Sequence, residues 1–180
     1  MLIFELYPRF KSVLILFIFS LASAHAALIT FENLPDADFF NGGGQNIDGF
    51  YTGLTFGPNV TGLSASRFGG YSDAAFPAHS GDVVIWDSQD PTITIDFASP
   101  IQSYGIWYTS FDPLTLQAFD QSNNSLGTVI GEPNTDGTTG TPSFLSLSIP
   151  DIYAVTLTSL RVPSSRLSAT LRFLHLHGQP

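Results

Sequence analysis

Cysteine is absent from all 180 residues. That excludes a disulfide framework and thiolate metal sites, so stability has to come from burial whichever compartment the chain occupies. Basic residues are scarce too: six Lys and Arg stand against 15 Asp and Glu, a formal net charge of −9 at pH 7. Phosphate polymers repel such a chain, because nucleic-acid binding relies on Lys and Arg to neutralise the backbone. Nucleic acid and anionic membrane surfaces are therefore not expected partners. No apolar run approaches the ~20 residues of a membrane-spanning helix, and no helix-period pattern occurs after residue 26. Catalytic signatures are missing as well: there is no Gly-x-Ser-x-Gly elbow, no His-Glu-x-x-His and no phosphate-cradling glycine loop. The expectation is a protein that is not an enzyme.

The N-terminus carries an address. Arg9 and Lys11 precede an apolar run from Val13 to Leu21, followed by Ala24-His25-Ala26. A positive flank, a short apolar segment and small residues at −3 and −1 form a secretory signal layout. The expected organisation is a signal peptide over 1–26 and a single domain over 27–180, with no membrane span in the mature chain; a retained anchor is the alternative. Loss of the leader removes Lys11, the sole lysine, and leaves a secreted, still more acidic protein.

Period-two alternation dominates the mature region. In Thr92-Ile-Thr-Ile-Asp-Phe-Ala98, Ile93, Ile95 and Phe97 share one face while Thr92, Thr94 and Asp96 share the other, so the strand is buried on one side only. Ser143 to Ile149 repeats this with Leu145, Leu147 and Ile149 facing in, and Tyr153 to Leu157 does so around Val155. Further strands are expected at Leu28–Glu32, Phe50–Phe56, Val83–Trp86, Gln102–Thr109, Leu114–Asp120, Ser125–Ile130 and Thr170–His177. Turn formers separate them at Ser99-Pro100, Asp112-Pro113, Ser122-Asn123-Asn124, Pro133 to Gly137 and Ile149-Pro150-Asp151. Strands this close together without intervening helices pair antiparallel. The fold expected is all-β, a two-sheet antiparallel β-sandwich of jelly-roll type, with a closed barrel as the alternative. Two stretches, 35–48 and 62–82, are too long for simple turns, and loops of that length are where sites are found.

The mature chain resembles a class of secreted bacterial β-sandwich proteins, many of which end in a PEP-CTERM sorting signal. The resemblance rests on the order of Ile29-Thr-Phe-Glu32, Gly49-Phe-Tyr-Thr-Gly53-Leu-Thr-Phe56, Ile93-Thr-Ile-Asp-Phe97, Tyr104-Gly-Ile-Trp107, Leu114-Thr-Leu-Gln-Ala-Phe-Asp120 and Val155-Thr-Leu-Thr158. It implies a galactose-binding-like jelly roll, non-catalytic and placed at the cell surface or in the extracellular matrix. The final segment departs from the class: Leu171-Arg-Phe-Leu-His-Leu-His177 lacks its terminal carboxylate, and no Pro-Glu-Pro motif comes after it. Release rather than anchoring is the expectation.

Three constellations could carry binding chemistry. Ca²⁺ takes six to eight hard oxygen ligands, and Glu32 with Asp36 and Asp38, followed by Asn41 and three glycines, offers carboxylates in a flexible loop; a solvated turn is the competing reading. Sugars stack on aromatic faces, for which Tyr71, Phe76, Trp86, Tyr104, Trp107 and Tyr108 are candidates, although aromatics also build sandwich cores. Trp86, at a strand end beside Asp87-Ser-Gln-Asp90, is the aromatic expected to be exposed; Tyr71, Trp86, Asp87 and Asp90 form the expected ligand-binding set. His175 and His177 share a strand face but lack an acidic third ligand, and His79, alone in its loop, is expected to face solvent. The leading function is a secreted surface or matrix interaction module. The alternative is a calcium-assisted carbohydrate-binding module, so extracellular polysaccharide or a surface protein is the expected partner.

Overall fold

Alternating strands that hide one face each must meet a second layer, and the chain does this by sharing two long strands between two sheets. The computed structural model describes residues 28–31, 34, 45–64, 73–81, 83–87, 91–159 and 173–177; at 28, 45, 46, 64 and 173–177 the description is of the backbone alone. The leader and the Thr170 to Arg172 start of the expected last strand lie outside these residues.

The two shared strands are β6 (Thr92–Thr109) and β9 (Ser143–Ser159), which run antiparallel to each other. Their register slips between Asp96 and Ile101 and again between Ile101 and Ser103. The expected turns at Ser99-Pro100 and Ile149-Pro150-Asp151 are therefore not turns: both prolines lie within strands, at the bend where each strand leaves one sheet for the other. A proline donates nothing to a ladder, but at a bulge no ladder bond is lost, so it bends the strand without ending it. Asp151 takes up part of this bend with φ 64°.

The first sheet holds β3 (Leu54–Phe56), the first half of β6, the second half of β9, β7 (Leu114–Phe119) and β8 (Ser125–Gly131) in that order. The second holds β2 (Gln45–Asn46), β4 (Val60–Ser64), β5 (Val83–Asp87), β10 (Phe173–His177), the rest of β6 and the start of β9, with β1 (Leu28–Ile29) also pairing with β10. Every pairing is antiparallel. The fold is an all-β, two-sheet jelly-roll sandwich. Its last strand sits centrally in the second sheet, between β5 and β6.

The core lies between the sheets: Ile93, Ile95, Leu114, Leu116, Val155 and Leu157 face Val60, Ile85, Tyr104, Ile106, Tyr108 and Leu145, all buried. Phe31, Leu34, Ile47 and Phe56 belong to the same cluster. The expected strand over Phe50–Phe56 shortens to Leu54–Phe56, because Gly49 and Gly53 have φ 75° and 83°, a left-handed conformation no strand can pass through. Strand β4 is an addition to the expected set: in Val60-Thr-Gly-Leu-Ser64 a central glycine weakens the strand signal.

The second sheet has another apolar layer on its outer face. Leu63 from β4 and Val84 and Trp86 from β5 are roofed by Ala75 and Phe76, with Ala78 packed alongside. Part of the 62–82 stretch thus folds back on the sheet and does not extend as an open loop.

Candidate functional site

Trp107 shows how the open part of this outer face is built. Its neighbours along β6, Tyr104, Ile106 and Tyr108, are core residues, so the pleat turns Trp107 to the opposite side. Directly across β9, Phe144 is its register partner; the rings are 5.3 Å apart and tilted at 48°. From the folded-back segment, the His79 imidazole lies parallel to the indole at 3.6 Å and 6°. Trp107 is half-buried, His79 is exposed and Phe144 is 43% exposed. Along β9 the same face carries Ser146 and Ser148, both exposed, and along β6 it carries Ser103 opposite Ser148. His175 of β10 is paired in register with Trp107 on its other side.

The surroundings hold this arrangement firmly. Residues 132–141 form a loop clamped to the end of β6 by Asn134, whose Oδ1 accepts from Ser110 N at 2.7 Å and whose Nδ2 donates to Tyr108 O at 2.7 Å. Gly140 N donates to Ala74 O at 2.8 Å and so ties the loop to the segment bearing His79. A Cβ at Gly140 would run into the Ala75 carbonyl oxygen and come within 2.8 Å of Thr109 Cγ2. The loop tip is shaped by Asp136, whose Oδ1 accepts from the Thr138 and Thr139 amides and the Thr138 hydroxyl. Those bonds, the Thr139 amide foremost, hold its carboxyl down at about 2. On the core side, burial raises the Tyr108 hydroxyl pKa, with a smaller contribution from Glu132; that hydroxyl donates to Glu132 O at 2.8 Å.

Of the expected ligand-binding set, only Trp86 and Asp87 lie among the described residues. Trp86 is only 6% exposed, so it is not the open platform expected; the segment 73–81 covers it. Asp87 follows it at the end of β5, paired with Val60, and successive strand residues point to opposite faces. Tyr71 and Asp90 lie outside the described residues, as do Glu32, Asp36 and Asp38 of the expected calcium site. No cluster of three metal-ligating side chains occurs among the described residues. Of the other aromatics considered, Phe76, Tyr104 and Tyr108 are buried. His79 faces solvent as expected but also stacks on Trp107. Phe144 is missing from the aromatics that the sequence put forward, although its signal is visible: in Ser143-Phe-Leu-Ser-Leu-Ser-Ile149 it is the lone large apolar residue on the polar face.

No protein-family model and no curated protein matches the chain. Solved structures that match the chain include the K3 cleaved adhesin domain of Lys-gingipain from Porphyromonas gingivalis, 15% identical over 85% of this chain and 98% of that one, TM-score 0.42. A DUF4465 family protein from Bacteroides caccae is 15% identical over 86% of this chain and 97% of that one, TM-score 0.41. The module CBM32-3 from a family 31 glycoside hydrolase of Clostridium perfringens is 14% identical over 49% of this chain and 66% of that one, TM-score 0.34.

Proposed function

We propose that the chain is a secreted, non-catalytic β-sandwich module that attaches to an extracellular surface or matrix, with the outer face of the second sheet around Trp107 and Phe144 as its contact surface. The observation that carries this reading is the placement of exposed rings on paired strands outside the core, where folding does not require them. A Phe left 43% exposed beside a half-buried Trp forgoes the burial that an apolar side chain normally gains on folding, about 1.5–3 kcal/mol when complete. Strand-borne groups are also preorganised, which reduces the ordering cost of binding. The signal layout of residues 1–26 supports export of this surface from the cytoplasm.

The test is saturable binding of the purified protein to washed cells and extracellular matrix of the producing organism, compared with Trp107→Ala and Phe144→Ala. Saturable binding by the parent and its loss in both variants is the expected outcome. Equal binding by all three would move the contact surface elsewhere. Absence of saturable binding, or turnover of matrix components by the purified protein, would end the proposal.

A further inference from the structure

We infer that the Trp107–Phe144 face accepts a neutral polysaccharide chain, one sugar residue wide, laid along β9; this rests on the binding reading above and names the ligand class for that site. Three features of the face select the ligand.

The first is its size. The open part begins beyond β4 and β5, which are roofed by the segment at Ala75 and Phe76; β10, next to β5, is described by its backbone alone, so the described side chains of this face lie on two strands, β6 and β9. With strands spaced ~4.8 Å apart and a rise of ~3.4 Å per residue, the patch from Phe144 to Ser148 is roughly 10 Å by 14 Å, or ~140 Å². A stable protein partner needs about 800 Å² on each side. A file of two or three sugar rings matches the smaller figure.

The second is its chemistry. Phe144 and the uncovered part of Trp107 supply an apolar platform, and Ser146 and Ser148 continue it along the same face as a row of exposed hydroxyls. A pyranose has that same duality, with C–H groups on one face and hydroxyls around the rim. Aromatic rings take the C–H face, and short polar side chains take the rim.

The third is charge. The positions on this face whose side chains are described, Ser103, Gly105, Trp107 and Thr109 of β6 with Phe144, Ser146 and Ser148 of β9, include no Asp, Glu, Lys or Arg, and β10 places Phe173, His175 and His177 in register with them. The chain as a whole carries −9. A uronate or sulfated polymer would meet long-range repulsion and find no Lys or Arg at these positions to offset it. The ligand selected is uncharged.

The experiment is native affinity electrophoresis of the purified protein in gels containing dextran, galactomannan, xyloglucan or mixed-linkage β-glucan, with alginate and polygalacturonate as anionic controls and EDTA in a parallel set. Retardation by at least one neutral polymer is expected, unchanged by EDTA and absent with the anionic ones. Trp107→Ala and Phe144→Ala should each weaken it about tenfold, equivalent to about 1.4 kcal/mol, while Trp107→Phe retains most of it. Ser146→Glu, at an exposed strand position away from the core, should abolish it with an unchanged thermal midpoint, which covers the case of a ring variant that fails to fold. Retardation by no neutral polymer, or equal retardation of parent, ring variants and Ser146→Glu, would overturn the inference. Matrix treated with periodate or with protease separates the two proposals. Attachment that survives periodate but not protease keeps the binding module and removes the glycan, whereas no attachment to untreated matrix removes both.

Discussion

Two tryptophans point out of the same sheet and meet different surroundings. Trp86 is sealed under Ala75 and Phe76, whereas Trp107, on the far side of β10, is met by the rings of His79 and Phe144. An exposed aromatic pair of this kind contributes about 0.5–1.5 kcal/mol, enough to fix the indole in one orientation but little in the whole balance. In a Trp86→Phe background, where Trp107 alone emits, His79→Ala should raise acrylamide quenching and lower stability by about that amount; unchanged quenching would show that the imidazole does not shield the indole. Asp136 gives a second residue-scale expectation. Its carboxyl is held below the ordinary 3.8, at about 2, by hydrogen bonds to the charged form. A depressed folded pKa means the contribution is complete above the unfolded value and is lost as pH falls through about 2. The Thr138 and Thr139 amides should therefore exchange with solvent faster, after correction for intrinsic rates, as pH drops from about 4 to 2. Asp136→Asn should remove that pH dependence.

Among the elements, the 132–141 loop and the 73–81 segment act as a pair. Asn134 fastens the loop to β6, and Gly140 fastens the segment to the loop where there is no room for a side chain. Gly140→Ala should force the Ala74–Ala75 backbone away from Thr109 and cost about 1–3 kcal/mol, as overpacking does. Because the same segment carries His79 and Phe76, the variant should also show redder tryptophan emission than the parent. A fully stable variant with unchanged emission would mean that the segment is held from elsewhere. At the bend, Pro100 and Pro150 spare the sandwich two separate turns and let β6 and β9 serve both sheets.

For the whole molecule, this sharing predicts cooperativity. A sheet cannot dissolve without releasing strands that also belong to the other, and the core residues of both form one cluster. Both tryptophans belong to the second sheet, so fluorescence follows that layer, while far-UV circular dichroism follows all strands. The two denaturant transitions should coincide with a common midpoint and slope, the behaviour of a two-state domain. Separate midpoints would show that the layers unfold independently.

Strand type, the antiparallel sandwich and the inward rows at Ile93 and Ile95, Leu145 and Leu147, and Val155 and Leu157 were legible from alternation alone, because the choice between faces is a local property of period two. Phe144 was passed over, although it stands alone among serines on the outward face of Ser143 to Ile149. Which tryptophan would stay open was not legible, since both occupy apolar strands and the difference depends on how the segment just before β5 is folded back over it and fastened by Gly140 of a loop distant in the chain. Nor could a proline that bends a strand be told from one that ends it, because that depends on whether a partner strand slips register at the same level. Alternation along each strand sets which faces are apolar; which of those faces are covered follows from packing, because the covering segments are held by contacts such as Gly140 with Ala74, far apart along the chain.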